Sequence, residues 1–366
     1  MSPRERVLAA LGRRKPDKVP REISYGAFTP ALMEVFREKT GADDPAEYFD
    51  FEVRPVAFRP TRVTRQVPPE VAGLSGGGKG EGEGEGEVTI DEWGVAFRKG
   101  SSYHFVRLIH HPLGRAQTVS DVEEFMFPDF MEPYRHEHFD TEVKRWHDRG
   151  YAVMGELYQT IFEIAWFLRG MENLLVDFMV NPDIAAALLD RLTELRCRQA
   201  VRYAEAGVDI LRLGDDIASQ RGLVMSPETW RRWLKPRLGK VIAAARGVNP
   251  GIHVFYHCDG DPTVIIPELI EVGVDVLNPV QPECMDPARV KMEYGDRLAF
   301  WGTIGTQSTM PFGTPDEVRR VVKERVEVVG KGGGLLLAPT HILEPEVPWE
   351  NILAFFEAIE EYGWYR

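Results

Sequence analysis

The chain is poor in cysteine and in basic charge and has no long apolar run, and each shortage excludes a class of protein. Only Cys197, Cys258 and Cys284 occur in 366 residues. Their spacing fits neither a disulfide framework nor a paired CxxC zinc site, and a reducing compartment is expected. Cys197 sits in LLDRLTELRCRQAVRYA, a helical pattern in which a thiol serves packing. Acidic residues outnumber basic ones, 57 against 44, for a net charge of −13. No basic stripe offsets this, so duplex nucleic acid, which requires cationic surface to displace counterions, is excluded as a partner. No stretch reaches the roughly 18 to 20 uncharged apolar residues that span a bilayer. The opening MSPRERVLAALGRRKPDKVP carries charge throughout and predicts a short amphipathic helix ending before Lys15-Pro16, not a signal peptide. A cytoplasmic protein without membrane contact is expected. A phosphate cradle is also missing: residues 73–87, GLSGGGKGEGEGEGE, continue after Lys79 into an acidic run that repels phosphate, and predict a mobile surface loop.

What the chain does have is alternation. From Tyr151 onward, short apolar runs rich in β-formers (YAVMGELY, VDILRLGDD, IHVFYHCDG, VDVLNPVQ, RLAFWGTIG, GGLLLAPTH) are separated by stretches of helical period. Continuous apolar strands imply burial on both faces, as in a parallel sheet covered by helices. A doubly wound sheet shares that property. Polar and reactive residues recur at the C-terminal ends of the runs, which favours an α/β fold of the (β/α)₈ TIM barrel class, one domain over residues 1–366 with N-terminal loop and helix additions. KVPREISYG and YHFVRLIHH are the candidates for the two remaining strands. TIDEWGVAF and DVEEFMFPDFMEPY read as loops and short helices over the mouth or base. PWENILAFFEAIEEYG has proline at its start and Gly363 at its end, the ordinary signals of a helix.

The richest strand end is FYHCDGDP. Side chains alternate along an extended segment, so His257 and Asp259 point one way and Cys258 the other. Zinc accepts imidazole nitrogen and carboxylate oxygen at about 2.0 to 2.2 Å. His341, at the end of the last run, is the natural third ligand, leaving a position open for substrate. The plainer alternative makes His257 a cap or carboxylate partner and Asp259 the N-cap of the next helix. Asp215 and Asp216 end the preceding strand, and Glu156 and Tyr158 the one before it. Asp215, Glu156 and Tyr158 are candidates for acid–base chemistry. Asp216 reads equally well as a substrate anchor or a helix cap, and Gln281 can hydrogen-bond a small-molecule substrate. Cys284 has no local base to activate it.

These residues carry a resemblance. The segments GVDILRLGDDIASQRGLVMSPETWRRWLKP, FYHCDGD, IPELIEVGVDVLNPVQ, FWGTIGTQ and HILEPEVPWENI resemble the uroporphyrinogen decarboxylase superfamily over roughly the last 215 residues, with weaker echoes in DEWGVAF and HHPLGRA. The resemblance implies a (β/α)₈ barrel and one of two chemistries: decarboxylation of uroporphyrinogen without a cofactor, or zinc-dependent methyl transfer between corrinoid proteins and thiols such as coenzyme M. The methyltransferase branch typically has His-x-Cys-Gly where this chain has FYHCDGD, and a later Cys near the final strand. Aligned on the glycine, His257 matches the histidine, Asp259 replaces the cysteine, and the later Cys falls on His341. The implied ligand set His257, Asp259 and His341 is harder than the family's and suits an oxygen-bearing substrate better than a thiol. The same substitutions are compatible with loss of the metal. The decarboxylases typically carry Gly-His-Gly near the final strand, where His341 also falls, and an N-terminal Met-Arg-Gln-Ala-Gly-Arg-Tyr run. Here only Arg21 lies near. A substrate rich in carboxylates requires several arginines, for which Arg169 and Arg212 are the candidates.

Three readings follow. The leading one is a methyltransferase-type enzyme moving a methyl group between a small methylated substrate and a corrinoid on a partner protein, with zinc at His257, Asp259 and His341, in a homodimer if the superfamily is a guide. The second is a metal-free decarboxylase using Asp215 or His341 as proton donor. The third is a non-catalytic binding barrel whose site has drifted.

Overall fold

The computed structural model describes residues 1–23, 28–65, 71, 87–99 and 106–365. Each of the six apolar runs contains a strand: Ala152–Tyr158, Ile210–Gly214, His253–His257, Val276–Asn278, Ala299–Ile304 and Leu335–Pro339. Together with Val53–Val56 they form a parallel sheet whose order follows the chain. The gap between its two edges is filled by Pro20–Glu22. Leu337 donates to the Pro20 carbonyl at 2.9 Å, Glu22 donates back to Leu337 at 3.1 Å, and Glu52 donates to the Arg21 carbonyl at 3.4 Å. The sheet curls and closes through that short segment, as expected from KVPREISYG, whose Ser24–Gly26 portion lies outside the described residues.

The other expected strand is corrected. The described part of YHFVRLIHH forms Val106–His110, which pairs antiparallel with Ala96–Lys99, itself paired with Val88–Ile90. TIDEWGVAF thus supplies strands of a separate three-stranded sheet, not loops and helices. Val106–His110 is half-exposed along its length, whereas a strand inside a helix-covered barrel is buried on both faces. The second barrel strand is Val53–Val56, hidden in the sequence by Arg54 and Pro55. Burying Arg54 is tolerable because its guanidinium donates to the carbonyls of Phe51 at 2.5 Å and Ala46 at 3.2 Å. Of the glycine-rich segment 73–87, all but Glu87 lies outside the described residues.

Between the strands run the expected helices. Pro182–Ala206 ends at Gly207 in the left-handed conformation, φ +81°. SPETWRRWLKPRLGKVIAAARG divides into Pro227–Trp233 and Lys235–Val248 with the break at Leu234; Pro236, in the first turn of the second helix, has no N–H to continue the ladder of the first. Trp349–Tyr362 is the last described helix, and no described helix is long and apolar enough to cross a membrane.

Strand alternation sorts the side chains into two cores. Val53, Ala152, Met154, Ile210, Phe255, Val276, Ala299, Trp301, Leu336 and Ala338 pack together inside the barrel, where Val7 and Leu11 of the Pro3–Leu11 helix join them as a plug. Leu211, Leu213, Tyr256 and Cys258 point outward into the larger core beneath the helices. With the N-terminal end plugged, the open end is the one where the strands finish, and the polar strand-end residues gather there.

Candidate metal centre at the barrel mouth

His257 closes its strand beside Gly214, its register partner on the neighbouring strand. A Cβ at position 214 would lie 2.6 Å from the Cβ of His257, so glycine there is what leaves space for the imidazole. Two residues on, Asp259 returns to the same side, while Cys258 is fully buried on the other face with its Sγ 3.3 Å from the Asp259 carbonyl. Burial holds the Cys258 thiol well above its ordinary pKa, and it faces away from the mouth.

Asp216 arrives from the preceding strand end, its Oδ1 accepting from the Asp259 backbone amide at 2.8 Å. One donor atom from each of Asp216, His257 and Asp259 lies within 4.8 Å of the other two. His257 Nε2 stands 3.7 Å from Asp216 Oδ1 and 3.7 Å from Asp259 Oδ1. These separations are too long for hydrogen bonds and near the spacing of two donors that share one cation at about 2.0 to 2.2 Å from each. His341 Nε2 approaches the other oxygen, Asp259 Oδ2, at 3.9 Å. The three expected ligands are therefore neighbours, but the tightest triad contains Asp216 in place of His341. Burial raises the Asp259 carboxyl above its ordinary range and neighbouring Asp216 adds to this, while the two histidines oppose it.

The remaining candidates separate by role. Asp215 is buried, and its carboxylate accepts from the backbone amides of Ile161 at 3.0 Å and Glu163 at 3.0 Å. It is thereby engaged at the start of the Phe162–Arg169 helix. Burial pushes it up to about 6 against those hydrogen bonds. Glu156 faces into the barrel below the mouth and pairs with Arg212 at 3.2 Å; burial raises its carboxyl despite that charge. Tyr158 is at the rim, half exposed, with Arg212 5.3 Å from its ring centroid. Gln281 is buried, its Oε1 accepting from the Gly260 amide at 3.3 Å. It lines a cleft of about 380 Å³ together with Asp259, Gly260, Thr306, Gln307 and His341. Gln220, on the short hairpin after Asp216, donates to Gln307 across this cleft at 2.7 Å.

Three polar groups had not been singled out. Asn278 lies in register with His257 and bonds its ring; strand alignment at the shared C-terminal end is the signal that finds it. Glu163, partly buried, accepts from the Asp216 backbone amide at 3.2 Å and is held well above its ordinary pKa by burial and the neighbouring carboxylates; helix placement alone brings it there. Glu22, fully buried, accepts from Trp301 Nε1 at 2.9 Å inside the barrel.

The comparisons with known proteins agree with this architecture. The sequence pattern of the uroporphyrinogen decarboxylase (URO-D) family matches residues 148–362, more than half of the chain. The chain belongs to that family. Among curated relatives, the methylcobamide:CoM methyltransferase MtaA of Methanosarcina barkeri is 32% identical over 182 residues, half of each chain. The methylated-thiol–coenzyme M methyltransferase of Methanosarcina mazei is 26% identical over 212 residues, covering 55% of this chain and 51% of that one. The uroporphyrinogen decarboxylase of Chlorobaculum parvum is 22% identical over 184 residues, again half of each. This URO-D family member thus spans about half the length of the curated relatives it matches. A solved methyltransferase from Methanosarcina mazei superimposes with a TM-score of 0.69 over 99% of both chains at 21% identity, a likeness of fold.

Proposed function

We propose that this chain moves a methyl group between a small methylated substrate and a corrinoid carried by a partner protein, with a divalent metal, zinc in the first instance, held by Asp216, His257 and Asp259. The observation that carries the reading is the convergence of those three donors at the open end of the barrel, spaced as partners of one ion. One nitrogen and two carboxylate oxygens make a donor set that zinc accepts and that is harder than one containing thiolate. When bound, the metal supplies Lewis-acid polarisation of the substrate heteroatom that gives or takes the methyl group.

The residues of the chain do the rest. The Asp259 backbone amide fixes Asp216, and Gln281 fixes the backbone at Gly260. The cleft beside Asp259, about 380 Å³, has room for a small methylated compound. His341, half exposed beside Asp259, is placed to meet that molecule or to replace a ligand. The methyltransferase relatives support the reaction class.

Tetrapyrrole decarboxylation is disfavoured by where the arginines go. Arg169 is locked to Asp177 at 2.6 Å and to the Leu113 carbonyl at 2.8 Å, Arg21 pairs with Glu360, and Arg212 pairs with Glu156. Metal analysis of protein purified without chelators, followed by a corrinoid methylation assay with methyl ethers and alcohols, tests the proposal. Stoichiometric zinc and methylated corrinoid are expected. Absence of metal, or uroporphyrinogen turnover indifferent to metal, overturns it.

A further inference from the structure

Asn278 occupies the position on the neighbouring strand that faces His257 in register. Its Oδ1 lies 2.5 Å from His257 Nδ1, and its Nδ2 donates to the Trp301 carbonyl at 2.8 Å. The second bond settles the orientation of the first. A backbone carbonyl only accepts, so the amide nitrogen of Asn278 must face Trp301 and the amide oxygen must face the imidazole. An amide oxygen also only accepts, so His257 Nδ1 must carry the proton. In the neutral ring that leaves the lone pair on Nε2, the nitrogen standing 3.7 Å from both Asp216 Oδ1 and Asp259 Oδ1.

We infer that Asn278 is a positioning residue for the metal centre: it selects the His257 tautomer whose lone pair points at the two carboxylates. The inference deepens the metal reading above and rests on it. Both partners are buried, so rotation of the ring or exchange of tautomer would leave Asn278 Oδ1 without its donor in a dry environment. A histidine that binds metal through one nitrogen ordinarily donates from the other to such a fixed acceptor, which raises its basicity and holds the ring in plane. The sequence keeps the arrangement rigid from below as well, because Trp301, which supplies the carbonyl, is itself anchored through Nε1 to the buried Glu22.

Two substitutions separate positioning from packing. Asn278→Ala removes the acceptor, and zinc affinity measured by competition with a chromophoric chelator should fall by roughly 10- to 100-fold. Asn278→Asp retains an acceptor for Nδ1–H but cannot donate to the Trp301 carbonyl, and should bind zinc within about threefold of the wild type or more tightly. Nitrogen-15 spectra of the metal-free proteins report the tautomer directly: His257 should carry its proton on Nδ1 in the wild type and in Asn278→Asp, and should shift toward the Nε2–H form in Asn278→Ala. Unchanged zinc affinity in Asn278→Ala, an Asn278→Asp protein as weak as the alanine variant, or an Nε2–H tautomer in the wild type each overturns the assignment. A wild type that binds no zinc defeats the proposed metal function, and the tautomer measurement then decides the role of Asn278 alone.

Discussion

At the proposed metal centre, Asp259 places a carboxylate where the family resemblance implies a cysteine. On that proposal the carboxylate favours harder ions than a thiolate would. Asp259→Cys should therefore raise affinity for cadmium relative to manganese by at least about tenfold, measured by competition titration, with the fold unchanged by circular dichroism. Unaltered selectivity would mean that Asp259 is not a ligand. Cys258, next to it, is expected to be silent: it is fully buried on the outward face, so thiol reagents should label it only on unfolding. A single peptide step separates the two because side-chain direction reverses with each residue of an extended segment.

At the scale of elements, neighbouring residues at one strand end have different tasks. Asp215 and Asp216 are adjacent, yet one serves a helix and the other faces the mouth. Asp215→Ala strips the acceptor from buried amides at Ile161 and Glu163 and should cost about 1 to 3 kcal/mol in urea unfolding. Asp215→Asn, which keeps one oxygen, should recover part of that and leave zinc affinity intact. A large affinity loss in a stable Asp215→Asn protein would return Asp215 to the site. The turn after Asp259 is equally constrained. Gly260 has φ +84°, and a Cβ there would meet the Ser219 carbonyl oxygen at 2.4 Å. Gly260→Ala should displace the hairpin that carries Gln220 and open the Gln220–Gln307 bridge, visible as a raised KM and as new hydrogen exchange at residues 218–223.

The whole molecule depends on closure at one end and polarity within. Leu11 is fully buried in the plug of the barrel, so Leu11→Ala should lower stability by about 2 to 5 kcal/mol without touching the metal centre, a separation that urea unfolding and zinc titration can confirm together. The interior also makes stability depend on pH. Burial pushes Glu22 up to about 8 and Glu52 up to about 7, against about 4.3 in an unfolded chain. A carboxyl held protonated by the fold contributes fully below its unfolded pKa, and the contribution is lost as pH rises toward the folded value. The thermal midpoint should accordingly fall between about pH 5 and pH 8. Glu22→Gln, which keeps an acceptor for Trp301, should flatten that fall. A midpoint that rises with pH over the same window in the wild type would contradict the burial of a neutral Glu22.

Six strands, the helices between them and the inward direction of His257 and Asp259 were legible in the sequence because hydrophobic period and side-chain alternation are local properties. The clustering of polar residues at strand ends was legible for the same reason, since parallel strands joined by helices all finish at one side. Val53–Val56 was not, because Arg54 is compatible with a buried strand only once the carbonyls of Ala46 and Phe51 surround it. Nor was the division of labour between Asp215 and Asp216, or the preference for Asp216 over His341 in the tightest triad. Those depend on distances between strand ends far apart in the chain, which the stagger and curl of the closed sheet alone decide. Residue identity determined which chemistry was available at the mouth; tertiary packing decided which of the available groups stand close enough to share one ion.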